Sequence, residues 1–201
     1  MKITDIKQQV KRNDRYAIYL DGKYSFSLGT TELLAAALHI GDEITKPELA
    51  KLKKRAGVDK ALDNTMRFVA IRPRSQWEIK TYLKRKGVDE TASEEILNKL
   101  SNSGFVDDES FARSWVANRR QLKPVSKRRL VQELRVKRVD SVIIDKILAE
   151  DEVSDIASLQ QLIAKKRHQY KDDLKFMQYL ARQGYSYQDV KEAINNDTAN
   201  S

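Results

Sequence analysis

The chain has 201 residues, and 38 lysine and arginine residues against 29 acidic residues give it a formal net charge of +9. It has no cysteine, which excludes disulfides, thiolate metal sites and cysteine nucleophiles. No segment approaches the roughly 20 apolar residues of a membrane-spanning helix. The segment 1–10 lacks the apolar run of a secretory signal, so we expect a cytoplasmic protein that does not associate with a membrane. The positive charge indicates either an acidic partner, such as nucleic acid or a protein that acts on it, or a role in solubility alone.

Residues 1–45 contain the only pattern typical of β-structure. The runs 15–20 and 23–28 alternate polar and apolar residues on either side of Asp21-Gly22. Such a pair between alternating runs predicts a tight β-hairpin, because both turn positions need a positive φ. The segment 3–9 offers a third strand.

Two short helices are predicted next. Residues 31–39 predict a helix that is closed by a turn at Gly41. Thr45 is followed by a proline in the first turn and by Glu48, which predicts an N-cap and a helix over about 46–56.

From residue 58 onward the pattern is helical throughout. A capping box is a Ser or Thr that exchanges backbone hydrogen bonds with an acidic residue three positions later. Such boxes predict helices that begin at Ser75, Thr91 and Ser186, and Asp107 predicts one more helix start. Gly87 has the position of the left-handed residue that ends a helix.

The helical part repeats itself. Residues 75–89, 126–140 and 172–186 align so that a capping residue, a central leucine and an apolar residue after the helix fall in register. Another helix precedes each segment and another follows it, which predicts three tandem three-helix units that stack into an elongated, curved array. The alternative is that amphipathic helical hairpins resemble one another by chance.

The expected fold is therefore mainly α, with a small N-terminal β-hairpin or meander as an extension. The predicted domains are a β-rich extension with short helices over 1–57, and three-helix repeats over 58–106, 107–150 and 151–201.

The positive charge is concentrated in two regions. Residues 118–138 contain nine basic residues and one acid, and residues 67–86 contain seven basic residues and one acid. Cations near a helix C-terminus complement the helix dipole, which is a purely structural role. Arg128 and Arg129 lie in the first turn of their helix, where the dipole disfavours cations, so an external partner explains them better. The candidate residues for binding an acidic partner are the basic residues Arg67, Arg72, Arg74, Lys84, Arg85, Lys86, Arg119, Arg120, Lys127, Arg128, Arg129 and Arg135.

Catalytic motifs are absent from the sequence. There is no phosphate-binding loop, no dinucleotide fingerprint and no nucleophile elbow, and the two histidines are far apart, so we expect neither an enzyme nor a bound cofactor or metal. Five aromatic residues lie on or near apolar helix faces and are predicted to be core residues: Trp77, Tyr82, Phe105, Phe111 and Trp115.

Three segments resemble the RecX regulatory proteins. These are Arg72-Pro-Arg-Ser-Gln-Trp-Glu-Ile79 with Tyr82-Leu-Lys-Arg-Lys-Gly-Val88, then Gly104-Phe-Val-Asp-Asp-Glu-Ser-Phe-Ala-Arg113, and then Arg128-Arg-Leu-Val-Gln-Glu-Leu134. The resemblance covers roughly residues 60–195, and the N-terminal β segment resembles an extension of some longer members. One departure is Arg138, which stands where the second repeat of the family usually has glycine.

The resemblance implies a modulator of the RecA recombinase. Proteins of this family are tandem three-helix repeat proteins that bind in the groove of the RecA–single-stranded-DNA filament. They usually inhibit filament growth, ATP hydrolysis and strand exchange. We therefore expect a monomeric partner of the RecA filament that contacts single-stranded DNA directly or through RecA. The alternative is a stand-alone basic helical DNA-binding module that places one helix in a major groove.

Overall fold

A computed structural model describes the backbone of residues 1–199 and the side chains of residues 1–195. The chain divides into two compact units. The first unit joins Met1–Arg72 with Ile79–Phe105, and the second joins Pro73–Glu78 with the segment from Val106 onward.

Three strands and ten helices form the described part of the chain. The strands are β1 Ile3–Gln9, β2 Arg12–Leu20 and β3 Lys23–Gly29. The helices are α1 Thr30–Ala36, α2 Lys46–Ile71, α3 Gln76–Arg85, α4 Glu90–Asn102, α5 Asp108–Leu122, α6 Lys127–Val136, α7 Ser141–Glu150, α8 Asp155–Lys166, α9 Asp173–Arg182 and α10 Tyr187–Ala199, with a single 3₁₀ turn at Arg167–Gln169. The mainly α architecture with a small N-terminal sheet is confirmed.

The three strands form one antiparallel sheet in the order β1-β2-β3. Asp21 and Gly22 have φ values of 48° and 77°, so the predicted hairpin turn with two left-handed residues is confirmed. Ile3, Ile18 and Leu28 are buried on one face of the sheet and form its core together with Ala56 of α2.

The two predicted N-terminal helices differ from the observed ones. Helix α1 ends at Ala36 because Ala37 adopts a left-handed conformation with φ 46°, before the predicted end at residue 39. The helix predicted over 46–56 does not end there, because α2 continues without interruption through Gly57 to Ile71. A glycine inside a helix costs only about 1 kcal/mol, and tertiary contacts on both sides of residue 57 offset this cost.

The strongest of these contacts is made by Arg15. Its side chain is only 1% exposed, and its guanidinium lies 2.9 Å from the Asp59 carboxylate and 2.5 Å from that of Asp63. The backbone N–H of Gly29 also donates to Asp59 over 2.9 Å. The sheet is therefore fixed to the middle of α2 by paired charges and by apolar packing.

Most predicted helix starts are confirmed. The Glu78 N–H donates to Ser75 Oγ over 3.2 Å, and the Asp189 N–H donates to Ser186 Oγ over 3.1 Å. Asp107 accepts from the N–H groups of the two residues at the start of its helix, as expected of an N-cap. The box at Thr91 is wrong, because Asp89 caps α4 two residues earlier and accepts from the Ala92 N–H.

The repeated positions have equivalent roles. Leu83, Leu134 and Leu180 are all 0% exposed, so each lies at the centre of its own small core. Tandem three-helix units are confirmed. The boundaries of the four predicted domains stay a prediction, although α2 crosses the boundary proposed at residues 57 and 58.

The helix that lacks its expected glycine ends in the same way as its counterpart. Arg138 adopts φ 57° and takes the left-handed position itself. The Val139 N–H donates to the Leu134 carbonyl over 3.2 Å, as the Val88 N–H donates to the Leu83 carbonyl over 3.2 Å. The hydrogen bond that closes the helix is thus retained, although arginine is less favourable than glycine in the left-handed position.

The aromatic predictions hold in part. Phe111 is buried at 2% exposure, whereas Trp77 is 39% exposed and Phe105 is 56% exposed, so their assignment to the core is wrong. Tyr82 and Trp115 are half-buried. None of the helices within residues 1–199 combines the length and apolar content that crossing a membrane requires.

Candidate protein-binding face

One face of the α5–α6 hairpin combines an aromatic ring, basic side chains and exposed apolar side chains. Its six residues, which we call the α5–α6 face, are Trp115, Arg119 and Leu122 on α5 and Arg129, Glu133 and Val136 on α6. Each set is spaced at i, i+4 and i+7, so the three side chains lie along one side of their helix.

Glu133 organises the centre of this face. Its carboxylate, only 13% exposed, accepts from Trp115 Nε1 over 2.9 Å and from Arg119 Nε over 2.8 Å. Arg129 Nε reaches the other carboxylate oxygen at 3.4 Å. The single acid of the basic region 118–138 therefore fixes the orientation of a tryptophan and two arginines.

Cations also lie over the indole ring. The Arg119 guanidinium carbon is 5.1 Å and Lys137 Nζ is 5.4 Å from the centroid of Trp115, distances at which a cation is attracted to the aromatic ring. Lys137 Nζ also donates to Glu78 over 2.6 Å, and Ser75 Oγ donates to the Lys137 carbonyl over 3.0 Å. These contacts fix the C-terminus of α6 to the N-terminus of α3.

Two shallow depressions share Trp115 and Arg119. One has a volume of about 440 Å³ and extends over α6 to Val136, and the other has about 240 Å³ and extends along α5 to Leu122. Leu122 is 64% exposed and Val136 is 67% exposed, although both are apolar. A tryptophan and arginines beside exposed apolar side chains are typical of the energetic centre of a protein–protein interface.

The start of α6 explains how two arginines are tolerated there. The first turn contains no acid of its own, but Asp155 of α8 accepts from the Lys127 N–H over 2.7 Å. This carboxylate supplies the negative charge that a helix N-terminus favours. Arg128 remains exposed, and Arg129 is 44% exposed.

Two candidate residues are structural instead. Lys127 Nζ donates to the carbonyls of Leu148 and Asp151 over 3.3 Å and 2.9 Å, so it satisfies the C-terminal end of α7. This half-buried position makes Lys127 a poor contact residue, and its assignment is corrected.

Arg120 is a clearer correction. It is 9% exposed, and its guanidinium donates to Asp151 Oδ2 over 2.6 Å, to the Val125 carbonyl over 2.7 Å and to Ser158 Oγ over 3.0 Å. Its spacing of four residues from the buried Val116 was the signal in the sequence that it lies on the inner face of α5.

Tyr185 completes this buried polar cluster. Its hydroxyl lies 2.8 Å from Ser158 Oγ, and burial raises the pKa of Tyr185 to about 12. The cluster is fully paired, so its role is structural.

The remaining candidate residues lie at the surface. Arg67 of α2, three residues at the end of α3 (Lys84, Arg85 and Lys86), Arg72 and Arg135 are exposed, and Arg74 is half-buried. Their contact with a partner stays a prediction. Sequence reasoning missed Lys137, Leu122 and Val136, and it assigned Trp115 to the core.

Three family descriptions match the chain. They are "Regulatory protein RecX N-terminal domain" over residues 1–45, "RecX, first three-helix domain" over residues 61–100 and "RecX, second three-helix domain" over residues 107–148.

Curated relatives and solved structures agree with these matches. A protein of Listeria monocytogenes named "Regulatory protein RecX" is 31% identical over 208 residues, which cover 99% of this chain and 77% of that protein. A protein of the same name from Bacillus licheniformis is 28% identical over 199 residues, which cover 96% of this chain and 76% of that protein. The structure titled "Crystal structure of regulatory protein RecX" superimposes with a TM-score of 0.71 at 27% identity, covering 96% of this chain and 98% of the other. A RecX structure from Lactobacillus salivarius, with a TM-score of 0.55 at 20% identity, shows the fold alone.

Proposed function

This chain belongs to the RecX family of regulatory proteins, and from that premise we propose that it is a non-enzymatic regulator of the RecA recombinase. It binds as a monomer along the RecA–single-stranded-DNA filament in the cytoplasm. Binding inhibits ATP hydrolysis, filament growth and strand exchange.

The α5–α6 face supports this proposal most directly. An interface with a protein filament needs an anchor that remains well packed when water is excluded, and the Trp115 ring, held by Glu133 and contacted by the cations of Arg119 and Lys137, is such an anchor. Leu122 and Val136 add apolar area that a folded monomer gains nothing by exposing. Arg128 and Arg129 add positive charge at the edge, which accelerates association with an acidic surface.

Inhibition follows from binding to more than one subunit. A regulator that binds one conformation of the filament better than the others shifts the equilibrium toward that conformation. Contacts across adjacent RecA subunits therefore restrain the changes that accompany ATP hydrolysis and subunit exchange.

The test is the ATPase rate of RecA on single-stranded DNA with this protein titrated in. The native chain is expected to lower the rate to a plateau. Leu122→Glu combined with Val136→Glu should raise the concentration needed by about tenfold or more, because charges replace apolar contacts on both sides of the Trp115–Glu133 centre of the face. Arg128→Ala combined with Arg129→Ala should slow association and leave helicity intact.

The matched control is Val142→Glu combined with Leu174→Glu, since these two apolar residues are 74% and 71% exposed elsewhere in the second unit. The control pair should inhibit like the native chain. No effect of the native chain on ATP hydrolysis at saturation would refute the function, and equal losses in both pairs would refute the face.

A further inference from the structure

A second basic surface lies in the first unit, and of its four lysines only Lys86 is among the candidate residues predicted from the sequence. A cleft of about 510 Å³ is bordered by α2, by the end of α3 and by the start of α4. Four lysines line it: Lys53, Lys54 and Lys60 from α2, and Lys86 from α3. All four side chains are exposed.

These lysines are not neutralised by the protein. Within residues 1–195, no carboxylate forms an ion pair with any of the four. The only acid that lines the cleft is Asp89, whose carboxylate accepts from the Ala92 N–H over 2.9 Å as the N-cap of α4.

The acids of α2 are used elsewhere. Asp59 and Asp63 pair with Arg15, and Asp63 also lies 3.4 Å from Arg12. The contacts with the sheet therefore consume the negative charge of this part of the helix. The cleft side of α2 is therefore left with a local excess of positive charge, which raises its affinity for polyanions.

Gly57 is a second and independent observation. It lines the cleft inside a continuous helix, where glycine is less favourable than alanine, yet a Cβ at this position would meet no atom within 4 Å. Packing within the protein does not require glycine here. Its effect is to leave the helix backbone open, so that a ligand can approach between Lys53 and Lys60.

We propose that this lysine cleft binds the phosphate backbone of single-stranded DNA directly. The inference rests on the proposed function for its biological setting, because the filament contains single-stranded DNA, but the binding itself requires no RecA. Lys53 and Lys60 line the cleft, and the exposed Arg67 lies outside it. The three residues recur every seven positions along one side of α2, about 10.5 Å apart at 1.5 Å per residue, so the positive charge continues along the helix beyond the cleft.

The chemistry favours phosphate over an acidic protein segment. Lysine binds phosphate as a point charge without demanding one orientation, so lysines can follow a phosphate backbone of variable conformation. The lining includes Tyr82, whose ring stacks on Phe68 with 4.4 Å between the centroids and has Lys86 Nζ 5.7 Å from its centroid. The lining offers no exposed apolar anchor comparable with Trp115. The two surfaces thus differ in the class of partner they suit.

The experiment measures fluorescence anisotropy of a labelled oligothymidylate with this protein alone, over a range of salt concentrations. Lys53→Ala combined with Lys60→Ala is expected to weaken binding about tenfold at low salt and to reduce the slope of log affinity against log salt by about 1.4. The matched control, Lys46→Ala combined with Lys51→Ala, removes the same charge from exposed positions of α2 outside the cleft and should bind nearly as the native chain does.

A third variant separates binding from folding. Gly57→Ala should raise the Tm, because alanine favours the helix, and should still weaken oligothymidylate binding by narrowing the approach to the backbone. Equal losses in both lysine pairs, an unchanged affinity in Gly57→Ala, or competition by polyglutamate better than by the oligonucleotide would each overturn the proposal. Failure of the RecA ATPase test with intact oligothymidylate binding would overturn the proposed function and leave the cleft standing.

Discussion

At two joints in the second unit, a serine that caps one helix donates to a carbonyl at the end of another helix, through its hydroxyl in one joint and its backbone N–H in the other. The two joints differ in how tightly they pack. At the α3–α6 joint, Ser75 Oγ donates to the carbonyl of Lys137, the first residue after α6, over 3.0 Å. At the α6–α9 joint, the Ser126 N–H donates to the carbonyl of Gln183, the equivalent residue after α9, over 3.2 Å. In both cases a serine that caps one helix also satisfies the end of another.

The residue that follows the shared carbonyl distinguishes the joints. It is Arg138 at the α3–α6 joint, with an exposed side chain, and Gly184 at the α6–α9 joint. A Cβ on Gly184 would lie 2.3 Å from Ser126 Oγ and 2.9 Å from the Cβ of Arg129. A left-handed residue at both turns, with φ 57° at Arg138 and φ 95° at Gly184, therefore does not mean that both turns have space for a side chain.

The surroundings extend this difference. Beside the α6–α9 joint lies the fully paired buried cluster of Arg120, Asp151, Ser158 and Tyr185. Beside the α3–α6 joint lies the ion pair of Lys137 with Glu78, whose side chains are 22% and 9% exposed. The α6–α9 joint should thus tolerate little change, whereas the α3–α6 joint should accept substitution at its turn.

Removing Arg120 should have the largest effect. Arg120→Met is expected to lower the free energy of unfolding by about 3–5 kcal/mol, because Asp151 would remain buried without its partner. Urea unfolding followed by circular dichroism measures this. Adding Asp151→Leu should recover most of the loss, and Arg113→Met in an exposed ion pair should leave the free energy of unfolding almost unchanged. A small loss for Arg120→Met would show that the cluster is not rigid.

The glycine substitutions compare the packing directly. Gly184→Ala should cost about 3 kcal/mol, since both the left-handed φ of 95° and the contact with Ser126 oppose a Cβ. Rotating the Ser126 hydroxyl away would not help, because it caps α6. Gly87→Ala is the control: its φ is 74° but its Cβ would meet nothing within 4 Å, so only about 1 kcal/mol of backbone strain is expected. Equal losses in urea unfolding would contradict the difference between the joints.

The opposite substitution should stabilise the α3–α6 joint. Arg138→Gly is expected to raise the free energy of unfolding by about 0.5–1 kcal/mol, because glycine relieves the strain at φ 57° at some cost in chain entropy. Arg135→Gly, inside the same helix, should instead destabilise by about 1 kcal/mol. If both variants lose stability, the left-handed turn carries no strain.

The last effect is absent at neutral pH and is confined to alkaline pH. The pKa of Tyr185 is raised to about 12 by burial, so between pH 10 and 12 the unfolded chain releases this proton while the folded chain retains it. Stability should therefore fall as the pH rises through this window. In Tyr185→Phe this part of the decline should disappear, whereas Tyr187→Phe, at a 68% exposed position, should keep it. Thermal unfolding at several pH values measures the difference.

The sequence predicted those features that depend on local chemistry. The Asp21-Gly22 turn, the cap at Ser75 and the central leucines all follow from spacing and backbone preference, and each is confirmed. The predicted helix end near residue 56 was wrong, because the continuation of α2 beyond Gly57 is stabilised by contacts with Arg15, which is distant in sequence. Because the predicted helix ended near residue 56, the sequence did not show that Lys53, Lys60 and Arg67 recur every seven residues on one continuous helix.

Charge was the least predictive property of the candidate site. Arg120 and Arg119 are adjacent in sequence and chemically identical, yet one is buried in a structural cluster and the other lies beside Trp115. They differ only in their position around the helix: Arg120 lies on the same side of α5 as the buried Val116, and Arg119 does not. A count of basic residues carries no information about this position. The sequence predicted that a basic face exists, but identifying the residues that form it required the packed structure.

The uninterrupted α2 sets a strict rule for changes in chain length. This helix contacts the sheet on both sides of Gly57, through Ala56 before it and through Asp59 and Asp63 after it. Inserting one residue at Gly57 would rotate these two sets of contacts about 100° apart around the helix axis. Seven inserted residues would restore their direction to within about 20° but would move them about 10.5 Å further apart along the helix. Evolutionary variation in chain length should therefore be excluded from this point of the helix.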